Sequence, residues 1–146
     1  PVFHYLRNMC HSTTVAEELT HDTFIKAFKG FGRFRGESSL KTWLFKIARN
    51  TYLNEINKFS QQNEIPYAEP ELQAISTARN IEAGMMVRQT LLKLTENERS
   101  LLILREQGFS LKEMADILGQ TEGSIKVGIH RAKKKFKQYY LEGEGE

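Results

Sequence analysis

The stretch from Thr121 to Tyr140 carries six Lys or Arg residues (Lys126, Arg131, Lys133, Lys134, Lys135 and Lys137) against one acid, Glu122. Ile125, Ile129, Ala132 and Phe136 recur at helical spacing, so this segment reads as a helix with one buried apolar stripe. At about 3.6 residues per turn, Val127, His130, Arg131 and Lys134 fall on the opposite face, with Lys126 and Lys137 beside them. Ammonium and guanidinium groups in a row neutralise phosphates, and a guanidinium also matches the major-groove edge of guanine with two parallel bonds. A run of charge is more often a solvated face. Here it occupies the second helix of a helix-turn-helix pattern, the element that enters the groove of duplex DNA.

That pattern is specific in its details. Ser110-Leu111-Lys112-Glu113 has the form of a capping box and starts a short helix ending at Gly119. Gly119-Gln120-Thr121 makes the turn, and glycine suits the left-handed position there. Ala115 is small where the helices must cross, and Ile125 pins the second helix to the core.

A second basic region runs from Phe31 to Lys58. Arg33, Arg35, Lys41, Lys46, Arg49 and Lys58, with Lys29 just before, are opposed only by Glu37 and Glu55, and Phe31, Phe34, Trp43, Phe45 and Tyr52 are interleaved with them. Cations with aromatics suit single-stranded nucleic acid, whose phosphates and unstacked bases they take separately. Trp43 shares helical spacing with Leu40, Leu44 and Ile47, so it reads as core, and the loop Arg33 to Ser39 is the better candidate for contacts. A third feature is the stripe Glu18, His21, Asp22 and Ile25, a polar helix face with one apolar residue in it, read either as plain exposure or as a protein-docking face.

Enzymatic chemistry finds no support. There is no Walker A loop, nucleophile elbow or Rossmann glycine pattern, and His4, Cys10, His11 and His21 lack paired zinc-ligand spacing. No catalytic residue, metal or cofactor is expected.

The elements that must position these groups are helices. The chain has 146 residues, 40% hydrophobic and 27% charged, which is too apolar for a disordered chain; ten Gly and three Pro disfavour a turn-rich β fold. Thr14-Val15-Ala16-Glu17 reads as a capping box opening a helix to about Gly30, with Ala16, Leu19, Phe24, Ala27 and Phe28 as its apolar stripe. A long helix should follow from about Ser39 to Phe59, then helices over about 80–93, from the capping box Thr95 to Glu98 as far as Gly108, over 110–119 and from Thr121 to about Tyr140. Between Ser60 and Ala78 the periodicity fails at Pro66 and Pro70. From Phe59 to Glu82, Glu64, Glu69, Glu71 and Glu82 oppose Arg79 alone, the signature of an acidic linker. The expectation is an all-α chain of two small helical domains joined by an extended linker: 1–58, linker 59–80, 81–140, and a frayed tail 141–146. A single cysteine, no apolar run of membrane-spanning length and no signal peptide point to a cytoplasmic protein without membrane insertion.

Two stretches together carry a resemblance. Ala16 to Phe24, followed by Phe34-Arg35-Gly36-Glu37-Ser38-Ser39-Leu40-Lys41-Thr42-Trp43-Leu44-Phe45-Lys46-Ile47-Ala48-Arg49-Asn50, resembles region two of extracytoplasmic-function sigma factors. Leu91 to Tyr139, with Leu94 to Arg99 and Gly123 to Ala132, resembles their region four. The resemblance implies a bacterial alternative sigma factor directing promoter recognition, −10 melting and transcription initiation. It implies RNA polymerase core as partner, through the β′ clamp helices and the β flap, together with promoter −10 and −35 DNA and an anti-sigma factor.

Carried onto this chain, the resemblance puts Glu18, His21, Asp22 and Ile25 on the polymerase-docking face. It puts Arg33, Arg35, Gly36, Glu37, Ser38, Ser39, Lys46, Arg49 and Asn50 at the −10 element. Thr121, Ser124, Lys126, Val127, His130, Arg131, Lys133 and Lys134 fall at the −35 element. The alternative reading is a helix-turn-helix regulator that binds duplex DNA without polymerase core.

Overall fold

A computed structural model describes residues 1–61 and 78–144. The order of elements is α1 (Val2–Met9), α2 (Thr13–Gly30), a 3-10 turn (Phe31–Arg33), α3 (Leu40–Gln61), α4 (Ala78–Leu92), α5 (Glu96–Glu106), α6 (Leu111–Leu118) and α7 (Glu122–Glu144). The described residues are helical apart from short connections, as the patterning predicts. Residues 62–77, the body of the expected acidic linker with Pro66 and Pro70, lie outside the described residues.

Four local expectations need correction. The cap of α2 is Ser12, whose Oγ accepts the Val15 amide at 3.4 Å, so the helix begins at Thr13 rather than at a box opened by Thr14. Its buried stripe is Ala16, Leu19, Thr23 and Ala27, while Phe24 and Phe28 are 51% and 86% exposed. A stripe of mostly small residues lets α3 approach closely. Thr23 belongs to it because its hydroxyl donates to Leu19 O at 2.6 Å and so enters the core satisfied.

On α3 the deeply buried positions are Thr42, Phe45, Ala48, Thr51 and Tyr52, not the face of Leu40, Trp43, Leu44 and Ile47; Leu40 is exposed. The reason is that α3 is covered on one side by α2 and on another by α1 and α6. Finally, α7 continues past Tyr140 through Glu144, where the expected frayed tail had begun.

The amino-terminal segment folds as α1, whose Val2, Tyr5, Leu6 and Met9 are all buried. This helix packs on α2 and α3 and also on α4 and α5. The two helical units therefore share one continuous buried cluster, running from Val2, Leu6 and Leu19 through Phe45 and Tyr52 to Leu101, Phe109, Met114 and Ile125. Hydrogen bonds cross this seam as well, although Nε of Arg49 and Nε of Arg99 are buried without an acceptor among the described residues. Arg88 of α4 donates to Cys10 O at 3.1 Å, and buried Arg99 of α5 donates to Leu94 O at 2.6 Å and to Tyr52 Oη at 3.1 Å.

Candidate nucleic-acid interface and docking face

The helix-turn-helix forms as its sequence dictates. Thr95 and Ser110 each close a complete capping box, with Glu98 and Glu113 returning bonds to the capping residues' own amides. Gly119 sits in the left-handed conformation at φ 66° and turns the chain into α7, where the Thr121 hydroxyl accepts the Ser124 amide at 3.1 Å. Ile125, Ile129 and Ala132 are buried, and Phe136 packs against the core. Lys126, Val127, His130, Arg131, Lys133 and Lys134 are all exposed, as are Thr121, Ser124 and Lys137. Lys135 is set apart from them by an ion pair with Glu98 at 2.8 Å. Partial burial opposes the charge on Glu98, but the bonds from Lys135 and Thr95 outweigh it and hold its carboxyl below the ordinary value.

Gly128 is explained by the partner helix. A Cβ there would stand 2.7 Å from Leu101 Cδ1, so glycine lets α7 lie close on α5.

In the other unit, Ser39 caps α3: its Oγ accepts the Thr42 amide at 3.1 Å and donates to Thr42 Oγ1 at 2.9 Å. Gly36, at φ 72°, shapes the loop before it. Phe34, Phe31 and half-buried Trp43 form one aromatic cluster at ring separations of 5.1–6.5 Å, which anchors that loop to α3. Arg33, Arg35, Glu37 and Ser39 are exposed around it. Trp43 is thus a partly buried anchor rather than full core. Farther along α3, Lys46 and Asn50 are exposed and Arg49 is half-buried. Glu18, His21, Asp22 and Ile25 lie exposed together on α2, as their spacing requires, and exposed Phe24 and Phe28 extend the apolar part of that surface.

Residues 1–61 match the family model for sigma-70 region 2, and residues 84–136 match that for sigma-70 region 4. The chain is 36% identical over 149 residues to RNA polymerase sigma factor YlaC of Bacillus subtilis (strain 168), covering 94% of this chain and 84% of that protein. It is 31% identical over 132 residues to the ECF RNA polymerase sigma-E factor of Escherichia coli (strain K12), covering 80% of this chain and 69% of that one. The chain belongs to the extracytoplasmic-function sigma factors.

This sigma factor also resembles a solved structure over nearly its whole length. The sigma factor RpoE of Bartonella quintana, in complex with the anti-sigma factor NepR, matches with a TM-score of 0.76 and 25% identity, over 94% of this chain and 88% of that chain. No helix among the described residues is long and apolar enough to cross a membrane.

What the sequence did not disclose is that the second basic region is engaged from within the chain. Lys46 Nζ lies 3.0 Å from Asp116 Oδ1, and Arg49 Nη2 lies 3.0 Å from Glu96 Oε1. Glu113 Oε2 accepts from Thr42 Oγ1 at 3.2 Å, and Lys41 Nζ donates to Gln107 O at 3.2 Å. The signal for Glu113 was already spent on its capping box, and Glu96 and Asp116 carry no motif.

Proposed function

We propose that this sigma factor binds RNA polymerase core and confers promoter selectivity through three separate surfaces. Glu18, His21, Asp22 and Ile25 of α2 dock on the β′ clamp helices, with the acids pairing with basic residues there. The loop Arg33 to Ser39, with Lys46, Arg49 and Asn50, takes the −10 element as it opens; the cations follow the phosphates and the loop receives an unstacked base. The outward face of α7 reads the −35 element as duplex: Arg131 contacts a base edge, and Lys133 and Lys134 meet phosphates, which position without specifying. Thr121, Ser124, Lys126, Val127 and His130 complete that face, and the carboxy-terminal unit also contacts the β flap.

The observation that carries this reading is the full exposure of the α7 basic face over a helix-turn-helix with every cap and turn in place. The factor performs no covalent chemistry; it supplies specificity to the polymerase, and its place of action is the cytoplasm. An anti-sigma factor as regulator is supported by the complex in which the similar Bartonella protein was solved.

The test is transcription in vitro with purified core polymerase on a genomic fragment library. Discrete start sites sharing −10 and −35 elements are expected. Arg131→Ala should relax preference at one or two −35 positions, by about 1–3 kcal/mol of discrimination. Lys134→Ala should weaken all sequences alike and lower the salt slope by roughly one. Initiation no different from core alone would refute the reading.

A further inference from the structure

One residue on the outward face of α7 cannot form a hydrogen bond through its side chain. Val127 is 51% exposed, and its neighbours on that face, Ser124, Lys126, His130 and Arg131, are exposed and all carry hydrogen-bonding groups. A single apolar side chain at a surface is ordinary in itself. This one stands on the helix that enters the major groove, in the middle of the side chains that would read it.

The fold holds the valine outward. Ile125, Ile129 and Ala132 are buried and fix the rotation of α7, so Val127 cannot turn toward the core. The ground around it is low. Gly128 beside it and Gly123 one turn before carry no side chain, and a Cβ on Gly123 would meet open space. Ser124, Val127 and Arg131 line one groove together with Asn97 and Gln120, whose side-chain amides bond each other at 2.7 Å. The branched methyls of Val127 are the apolar point in that polar strip.

The chemistry of the bases selects what meets it. Thymine alone presents an apolar group, its 5-methyl, on the major-groove edge; adenine and cytosine present an amino donor there and guanine two acceptors. Pressing valine on a polar edge strips its water without replacing the bond, whereas pressing it on the methyl removes two apolar surfaces from water. Val127 and Arg131 are one turn apart, so at 1.5 Å of rise per residue they lie about 6 Å apart along α7, or about two base-pair steps.

We propose that Val127 is a specificity-determining residue of the −35 contact and reads the 5-methyl group of a thymine about two base pairs from the base contacted by Arg131. The proposal rests on the assignment of α7 to the −35 element in the proposed function.

The test uses the full chain assembled with core polymerase, on promoter fragments whose start sites the transcription assay maps. Each thymine of the −35 element, on either strand, is replaced singly by uracil. Uracil lacks the methyl group and keeps every hydrogen-bonding atom. One replacement should weaken binding about fourfold, the worth of one buried methyl group. The same replacement should cost Val127→Ala nothing; that variant truncates an exposed side chain to the best helix former, so α7 is kept. Lys134→Ala should weaken binding throughout and retain the full uracil penalty.

A uracil penalty at no position, or one that persists undiminished in Val127→Ala, overturns the role of Val127. A fragment with the whole −35 element scrambled separates this from the underlying assignment. If scrambling weakens binding and uracil does not, α7 still reads the −35 element and the valine's role alone falls. If scrambling changes nothing, the −35 assignment falls and the valine's role falls with it.

Discussion

The Tyr5 hydroxyl lies 2.9 Å from Ser100 Oγ, and both side chains are fully buried although 95 residues separate them. This bond ties α1 to α5 and hence the amino-terminal unit to the carboxy-terminal one. Ser100 Oγ also lies 3.3 Å from Glu96 Oε1 and 3.5 Å from Met9 Sδ, whereas the Tyr5 hydroxyl bonds to Ser100.

The two ends of the bond should therefore respond unequally. Tyr5→Phe leaves Ser100 with other acceptors and should cost about 1 kcal/mol, or about 2–4 °C in Tm. Ser100→Ala strands a buried phenol and should cost more, about 1–3 kcal/mol. The double variant should recover part of the Ser100→Ala loss. Urea unfolding of the three variants measures this, and an equal, additive loss would show the bond to be energetically idle.

Two helical glycines should separate under the same substitution. Gly84 faces open space, so Gly84→Ala should stabilise by up to about 1 kcal/mol. Gly128→Ala would put a Cβ 2.7 Å from Leu101 Cδ1, a fully buried side chain, so the helical gain should be lost and the sign reversed. Thermal denaturation of both variants decides it; a stabilised Gly128→Ala would mean that Leu101 repacks without cost.

Acid should loosen the capping boxes. The Ser110 amide and hydroxyl, with a lesser part from Thr42 and Lys41, hold the Glu113 carboxyl below its ordinary 4.5, and Glu98 is held low as well. A carboxylate with a depressed folded pKa contributes stability that is fully present above its unfolded value and is lost as pH falls through the folded one. Stability should thus be level above about pH 4.5 in respect of these groups and fall below it. Glu113→Gln should flatten that fall in a pH series of urea unfolding curves. A parallel loss in variant and parent would assign the acid sensitivity to other groups.

Cys10 should be chemically silent. Burial pushes its thiol up to about 12, and the opposing pulls of Arg99 and Arg88 are smaller. Because the thiolate is the reactive form, alkylation by iodoacetamide at pH 8 should be at least roughly a hundredfold slower in the folded chain than in urea. Rapid labelling of the folded chain would show that the seam around α1 opens readily.

Much of this was legible in the sequence, and the failures share a cause. The α6–α7 unit could be read because caps, turn glycine and periodic apolar residues all act within a few residues of one another. The α2 and α3 faces were misjudged where burial is set by partners distant in sequence. Phe24 and Phe28 look like core but stay outside, and Thr23 looks polar but enters with its hydroxyl bonded to the preceding turn. On α3, contact with helices on several sides moved the deepest positions to Phe45, Ala48 and Tyr52. The helix α1, with Val2, Tyr5, Leu6 and Met9 buried, was not among the elements read from the sequence, and nothing local said that it would bridge both units. The acids facing Lys46 and Arg49 were illegible for the same reason, since charge complementarity across about 50–70 residues has no local signature.

Docking on core polymerase through α2, apart from either DNA face, is tested most directly by the affinity of the full chain for purified core enzyme. Asp22→Arg reverses an exposed charge at the centre of the α2 stripe, and like charges across an interface cost several kcal/mol. Its affinity for core should fall at least about tenfold, corresponding to about 1.4 kcal/mol or more. Arg131→Ala, on α7, should bind core as the parent does. An Asp22→Arg chain that folds normally and binds core with undiminished affinity would contradict the docking assignment.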